Sequence, residues 1–567
     1  MSFDISIKIA GQAGQGLQSI SELLIKVLKT KGMHVFAVQD YMSRIRGGHN
    51  FMQIRISDNP IHSMQEHCDI LIALDKNSET IHKNEVPEGG SIIYDPHSIQ
   101  VDSPDKRYLP IPLYELSKEV GGVLFSNMIS AGSISALLGL DTDDSHAFIK
   151  KQFAKKGEEI ISKNMKALES GYSYVLKNLG NRKYIELKSQ NSNKLMLING
   201  SEAVGFGAVA GGCQFISAYP MTPSTGIFEY LTRKAKYFNI VSEQAEDEIA
   251  AFNMALGASF AGARAMTTTS GGGLSLMAEG ISLSGAMETP IVIVNAQRPG
   301  PATGLPTRTG QEDLEYVLHI GHGEFPRFVF APGHPEEAFY TTIHAFNLTD
   351  KYQVPVFILI DQYLADTYVT LNEIDLTRVK SDRYFLENEK NMNHYLRYKF
   401  TKNGVSPRAY PLQGDFTVIA DCHEHTEDGH ITEETEVRNR MVKKRFEKLK
   451  DMQDEFGTPI YYGNDKAKTI FLTWGSSYGV VRETVDYLNR QRNPAAMIHF
   501  NRIYPFPKND LEMAIKDTRE IIAVEGNFQG QFSHFMKAET GIDVNRKILK
   551  YDGRPFTVNH ILKNLTI

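Results

Sequence analysis

Cysteine is nearly missing from this chain. Cys68, Cys213 and Cys422 are the only three among 567 residues, and no two form a Cys-x-x-Cys pair. That excludes a self-contained cysteine-ligated iron–sulfur cluster, a four-cysteine zinc site and a disulfide framework, and it suits a reducing compartment. Long apolar runs are missing too: residues 355–360 are among the longest, far below the roughly 20 that a membrane span requires. Met1-Ser2-Phe3-Asp4 carries neither the basic nor the apolar stretch of a secretory signal. Positive charge is not in excess, since 61 Lys plus Arg face 67 Asp plus Glu for a net −6. Such a balance argues against a surface that neutralises nucleic-acid phosphates. A cytoplasmic chain is expected, with no membrane and no nucleic-acid partner.

What is present has the composition of an ordinary globular protein, 41% hydrophobic and 23% charged. Its length suggests about three to four domains of roughly 150 residues. Strand-period and helix-period segments alternate throughout, which predicts an α/β fold of three units with mainly parallel sheets. Ile5, Ile7 and Ile9 form a strand, Gly11-Gln12-Ala13-Gly14-Gln15-Gly16 a turn, and Leu17 to Leu28 a helix stopped by Gly32. Residues 35–38, 68–74 and 91–94 read as further strands, and the polar stretch 188–193 as a linker. A second unit is expected from residue 194, with strands at 195–198, 263–267, 291–295 and 356–360 and helices at 243–260 and 274–287. The pattern loosens over 372–465, around a histidine- and acid-rich loop at 422–430 and a charged, largely solvated helix over 435–451. A third unit follows, with strands at 470–473, 497–500 and 521–524.

Several motifs carry chemistry. The first glycine turn is spaced G-x-x-G-x-G, so it reads as a tight turn that packs or binds an anion rather than as a nicotinamide site, despite Asp40 after the second strand. In Tyr219-Pro220-Met221-Thr222-Pro223-Ser224-Thr225, two prolines stiffen a strand-to-helix turn. Ser224 or Thr225 can cap the following helix; the turn is either a rigid helix entry or a site presenting the Thr222 hydroxyl. The acids Glu243, Glu246, Asp247 and Glu248 open an Ala-rich helix with no charge from Ile249 to Ala263, so one acid at its mouth is expected to be buried. The turn Thr267 to Gly273 lacks the Gly-Lys-Ser/Thr of a nucleotide-hydrolysing loop. Arg298, in a proline-stiffened loop after an apolar strand, suits bidentate carboxylate recognition, with an ordinary surface arginine as the plain alternative. His423, His425 and His430 beside Cys422 invite a zinc reading, but their spacing is irregular and a solvated loop or subunit contact is the favoured alternative.

Together these residues resemble the 2-oxoacid:ferredoxin oxidoreductases, specifically an α subunit with the small γ domain fused ahead of it. Gly11 to Gly16 and Arg46-Gly47-Gly48 are similar to the γ motifs, and Tyr219 to Ser224 to the family's Tyr-Pro-Ile-Thr-Pro-Ser turn, with Met221 a departure. Glu248 matches the glutamate on the thiamine pyrimidine ring, with Glu246 as its neighbouring rival. Arg298 and Thr307 match the substrate-carboxylate loop, in which Ala302 replaces a common serine. Glu424-His425 and residues 438–450 resemble the 2-oxoglutarate branch.

The resemblance implies a γ-type domain over 1–187, a pyrimidine-binding domain over 194–371, a connecting segment over 372–465 and a transketolase-C-like domain over 466–567. It implies Glu248 as the catalytic residue, Glu248, Pro220 and Thr222 at the cofactor, and Thr222, Arg298 and Thr307 at the substrate. Thiamine diphosphate is the implied cofactor. Its Mg²⁺ and a [4Fe–4S] cluster belong to a separate β subunit in an α2β2 assembly, and this chain holds no metal. The implied reaction oxidises 2-oxoglutarate, with coenzyme A taking the acyl group and ferredoxin the electrons, or runs in reverse. Pyruvate, branched-chain or aryl 2-oxoacids are alternative substrates, and a non-catalytic nucleotide-binding regulator is the alternative of another class.

Overall fold

The structure is a computed structural model that describes the chain except residues 1–2, 44–46, 179–184, 186, 188–193, 388–393, 508–510, 512–514, 516–517 and 566–567. Arg46 and the linker expected at 188–193 lie outside the described residues. The chain divides into two compact units, Met1–Ile198 with Thr367–Ile374, and Asn199–Asp366 with Asp375–Ile567.

The first unit is built on an eight-stranded sheet. Its spatial order is β6 (Tyr108–Pro110), β5 (Ser91–Tyr94), β4 (Ile70–Ala73), β1 (Asp4–Ala13), β3 (Gly47–Ser57), β2 (His34–Asp40), β14 (Tyr368–Asn372) and β7 (Leu195–Ile198). The strands from β6 to β1 run parallel, whereas β3, β2, β14 and β7 pair antiparallel. Ile5, Ile7 and Ile9 pack with Ile20, Leu23, Leu24 and Val27 of the helix Leu17–Thr30. Burying each such side chain contributes about 1.5 to 3 kcal/mol. One expectation is corrected here. The strand Leu195–Ile198 does not open the second unit; β14 returns to pair with it and ties it into the first sheet.

The second unit holds two sheets. One runs β18 (Arg502–Tyr504), β12 (Phe328–Phe330), β13 (Pro355–Asp361), β11 (Ile291–Gln297), β10 (Ala265–Thr269), β8 (Phe215–Ala218) and β9 (Val241–Gln244). Every neighbouring pair is parallel except β12 with β18. The other runs β15 (Ile460–Gly463), β17 (Ala495–Phe500), β16 (Thr469–Trp474), β19 (Glu520–Glu525) and β20 (Arg546–Leu549), parallel except at β15. Both sheets feed one core, in which Ile293 and Phe357 join Leu472, Trp474 and Phe500. The fold is α/β with three sheets; parallel pairing predominates in the two sheets of the second unit and in the chain as a whole, and the eight-stranded sheet is mixed. No single helix among the described residues is long and apolar enough to cross a membrane.

Three local elements differ from the expectation. The acid run is not one helical turn: Glu243 and Gln244 end β9, and Asp247 caps the helix Glu248–Phe260 by accepting from the Ala250 amide at 2.8 Å. The helix expected over 274–287 is two, Gly271–Leu276 and Ala278–Ala286. Ser224 stands at the N-cap of the helix Thr225–Phe238, but its hydroxyl donates back to the Met221 carbonyl at 2.7 Å and caps nothing.

The charged helix Thr435–Asp454 is not largely solvated. Lys444 and Lys448 are buried and reach Glu288 at 2.6 and 2.5 Å. Burial pushes the Glu288 carboxyl up, but Lys444, Lys448 and Arg397 outweigh it and hold the group far below the usual carboxylate range. In the 422–430 loop, His425 is fully buried with its ring 3.7 Å from that of Tyr398, while Glu424 pairs with Arg438 and Arg445. Breaking a buried ion cluster from one side leaves uncompensated charge, at about 3 to 5 kcal/mol. Glu288→Ala should therefore lower the chain's unfolding midpoint in urea by that equivalent, and an unchanged midpoint would contradict the buried cluster.

Candidate functional site

Parallel strands end together, so the residues that follow β8, β10, β11 and β13 share one edge of the seven-stranded sheet, where α/β folds place ligands. After β8 comes the turn Tyr219 to Ser224, with Pro220 exposed and Thr222 half-buried. Met221, the departure from the expected motif, packs against the end of β10 through its sulfur, 4.0 Å from Thr269 Oγ1. After β11 comes Arg298, whose Nη1 donates to the Thr222 carbonyl at 2.8 Å. This bond joins two of the residues expected at the substrate. Burial lowers the Arg298 pKa, and the charge of Asp313 opposes that shift.

Glu248 is the first residue of its helix and is 3% exposed. Its Oε1 is buried without a hydrogen-bond partner. Glu246 is exposed, so of the two candidate acids only Glu248 lies inside. The glycine turn after β10 presses on it: a Cβ at Gly273 would come within 2.2 Å of Thr269 Oγ1 and 2.6 Å of Glu248 Oε1. The Ser270 hydroxyl and Asn295 Oδ1 are also buried and unpartnered. Buried polar atoms are ordinarily satisfied, so a cluster of unsatisfied ones at a sheet edge points to a ligand.

The loop from Arg298 to Asp313 is pinned at both levels. Gly304 adopts φ +51°, and a Cβ there would stand 1.8 Å from the Pro299 carbonyl. Thr307 is buried at 7% exposure. Gln311 then staples the loop to the five-stranded sheet: its side chain donates to the Trp474 carbonyl and accepts from the Gly526 amide, both at 2.8 Å. Asp361, at the end of β13, accepts from Ser476, Thr309 and the Leu364 amide, and burial pushes its carboxyl up to about 6. Sequence reading missed Gln311, Asp313 and Asp361. The polar run Gln311-Glu312-Asp313 after so many prolines was the available signal.

The cysteines and the histidines of the 422–430 loop lie outside this cluster, and Asp421, Cys422 and His423 bring their ligand atoms within 4.8 Å of one another. Cys68 and Cys213 are buried, and burial pushes both thiols up to about 12. His423 pairs with Asp421, His430 with Asp428, and His425 is enclosed.

Three family models cover most of the chain. Residues 6–174 match "Pyruvate ferredoxin/flavodoxin oxidoreductase", 206–444 the thiamine diphosphate-binding model of pyruvate flavodoxin/ferredoxin oxidoreductase, and 467–561 "Pyruvate:ferredoxin oxidoreductase core domain II". The 2-oxoacid:ferredoxin oxidoreductase subunit alpha of Sulfolobus sp is 33% identical, covering 97% of this chain and 95% of its own. The chain belongs to the 2-oxoacid:ferredoxin oxidoreductase family.

Other members agree with that placement. The 2-oxoglutarate oxidoreductase subunit KorA of Mycobacterium tuberculosis is 28% identical over 98% of this chain and 90% of its own. The solved 2-oxoglutarate:ferredoxin oxidoreductase from Magnetococcus marinus superposes with a TM-score of 0.92 at 30% identity, covering 99% of both chains. As a member of this family the chain is an oxidoreductase subunit with a thiamine diphosphate-binding module, and the non-catalytic regulator has no support. The relatives are α subunits, which implies a β partner.

The fit between Gly273 and Glu248 is testable on its own. Misplacing a reacting group by about 1 Å can cost on the order of 100-fold. Gly273→Ala should lower turnover of the assembled oxidoreductase by roughly 10- to 100-fold while leaving assembly intact; wild-type turnover would show that Glu248 is not held by this turn.

Proposed function

We propose that the chain is the α subunit, with a fused γ module, of a thiamine diphosphate-dependent oxidoreductase that uses 2-oxoglutarate. The reaction is 2-oxoglutarate, coenzyme A and oxidised ferredoxin to succinyl-CoA, CO₂ and reduced ferredoxin, or the reverse. The observation that carries the proposal is the buried, unpartnered Glu248 Oε1 within the thiamine diphosphate-binding module. Its chemistry fits the cofactor: a carboxylate at that depth is an acceptor for a protonated ring nitrogen of an aminopyrimidine. The substrate assignment draws on the Magnetococcus marinus enzyme, solved with 2-oxoglutarate, coenzyme A and succinyl-CoA bound, and on relatives named as 2-oxoglutarate oxidoreductase and synthase subunits.

When bound, thiamine diphosphate supplies the electron sink for loss of CO₂. In this reading Glu248 holds a proton at the pyrimidine N1′ and so assists acid–base chemistry across the ring. Pro220 and Thr222 line the cofactor, with Pro220 keeping the turn rigid. The Arg298 guanidinium takes a substrate carboxylate. Its bond to the Thr222 carbonyl fixes one edge of the fork, and the remaining N–H groups stay available. Thr307 donates near the reacting centre. The β subunit supplies the diphosphate site, Mg²⁺ and the [4Fe–4S] cluster, in an α2β2 complex that reduces ferredoxin in the cytoplasm. Ile249, Met254, Leu276 and Leu305 are exposed on the elements that carry the site, an apolar rim suited to a covering partner.

A second reading has one specific observation in its favour: several relatives of higher identity are named simply as 2-oxoacid enzymes. In that reading the pocket also takes pyruvate and 2-oxobutyrate. Activity of the α–β pair on a panel of 2-oxoacids separates the two. Preference for 2-oxoglutarate supports the first, and equal use of all three supports the second. Arg298 is assigned the 1-carboxylate that every 2-oxoacid has. Truncating one side of such a charge-assisted pair costs about 2 to 5 kcal/mol. Arg298→Ala should lower kcat/KM on 2-oxoglutarate, pyruvate and 2-oxobutyrate alike by that equivalent. A loss confined to 2-oxoglutarate would move Arg298 to the distal carboxylate, and no loss would remove it from the site.

A further inference from the structure

Arg298 is held by its backbone neighbours as well as by its guanidinium. Gln297, the residue before it, accepts from the Asp313 amide at 3.1 Å. Pro299, the residue after it, lies against Gly310, where a Cβ would stand 3.3 Å from the proline nitrogen. The next amide, of Gly300, donates to Glu312 Oε2 at 2.9 Å. Residues 310–313 therefore clasp Arg298 from both sides and close the base of the loop that carries Thr307. A segment that follows β19 grips this clasp. Gly526 donates its amide to Gln311 Oε1 and accepts the Gln311 amide at its carbonyl, both at 2.8 Å. Asn527 Nδ2 donates to the Gln311 carbonyl at 3.1 Å. Gln531 uses both ends of its side-chain amide: Nε2 donates to the Glu312 carbonyl at 2.7 Å, and Oε1 accepts from the Glu315 amide at 3.1 Å.

The gripping segment is itself over-determined. Glu525 is fully buried and accepts from the Phe532 and Ser533 amides at 2.8 and 2.9 Å, which satisfies two open donors in the first turn of the helix Gln531–Thr540. Asn527 is buried and accepts from the Gly530 and Gln531 amides at 2.7 and 3.1 Å, so it sets where Gln531 stands. We infer that Gln531 is a positioning residue for the 2-oxoacid, acting through Glu312 on the backbone of Arg298, with Asn527 holding Gln531 in place. The inference rests on the proposed role of Arg298. Its path is continuous: Asn527 to Gln531, Gln531 to Glu312 and Glu312 to Gly300 are hydrogen bonds of 3.1, 2.7 and 2.9 Å. A guanidinium whose backbone is already fixed meets a carboxylate with little further ordering, and a loosened clasp restores that cost. The 1-carboxylate is present in bound substrate and transition state alike, so the cost falls on KM and spares kcat. Glu248 stands on a helix that none of these bonds reaches, so cofactor affinity is untouched.

The test uses the assembled α–β enzyme. Gln531→Ala removes both side-chain bonds, whereas Gln531→Glu keeps the shape and the acceptor for the Glu315 amide but loses the donor to the Glu312 carbonyl. Each should raise KM for 2-oxoglutarate by about threefold to tenfold, the scale of one lost hydrogen bond. Turnover and thiamine diphosphate affinity should stay at the wild-type level. In an Arg298→Ala background Gln531→Ala should add nothing, because the residue it positions has gone. A wild-type KM in Gln531→Glu overturns the inference even if Gln531→Ala does not assemble. A matching loss of thiamine diphosphate affinity marks general loosening and also overturns it, as does a fully additive rise in the double variant. A raised KM in Arg298→Ala with wild-type KM in both Gln531 variants overturns the inference alone. An unchanged KM in Arg298→Ala overturns the Arg298 assignment and this inference with it.

Discussion

A carboxylate buried with one oxygen unpartnered forfeits about 1 to 3 kcal/mol or more relative to water, and proteins keep such groups where something else completes them. Glu248 is held in that state by its surroundings. Asp247 caps the helix, so Glu248 begins it and points inward; the helix behind it has no charge to pair with. In front, a side chain at Gly273 would press on this oxygen. The proposed site, finished by a cofactor and a second subunit, would account both for the exposed apolar side chains around this mouth and for the unpartnered Oε1.

The loop that carries Arg298 is held by a different device. The loop from Arg298 to Asp313 does not depend on its own hydrogen bonds alone, because Gln311 fastens it to the five-stranded sheet and Asn295 and Gln297 fasten its far end to β11. An arginine on a mobile loop would lose ordering entropy each time it bound a carboxylate; a stapled loop has already lost it. The five-stranded sheet thereby fixes the loop that is proposed to take the substrate.

Element identity was largely legible in the sequence because apolar strands and amphipathic helices report burial directly, and β1, β11, β13 and β16 stand close to where periodicity places them. Placement was less legible. Nothing in Leu195–Ile198 says that β14 will return to pair with it, since that depends on a segment some 170 residues away. The helix Thr435–Asp454 reads as solvated because charge normally faces water, and only the buried Glu288 explains why Lys444 and Lys448 do not. At the site, the residue types of Glu248 and Arg298 and their positions beside helix and strand ends were readable. Asp313 was not, because an aspartate before a helix looks like a cap until its carboxylate is seen facing the other way.

Glu248, and not its neighbour, is the carboxylate proposed to meet the cofactor. The direct measurement compares turnover and thiamine diphosphate affinity of Glu248→Gln and Glu246→Gln in the assembled α–β enzyme. Glu248→Gln should lower turnover by roughly 100-fold or more, the scale of lost acid–base assistance, in a complex that still assembles, while Glu246→Gln stays close to wild type. Near-normal turnover in Glu248→Gln, with the large loss in Glu246→Gln, would contradict it.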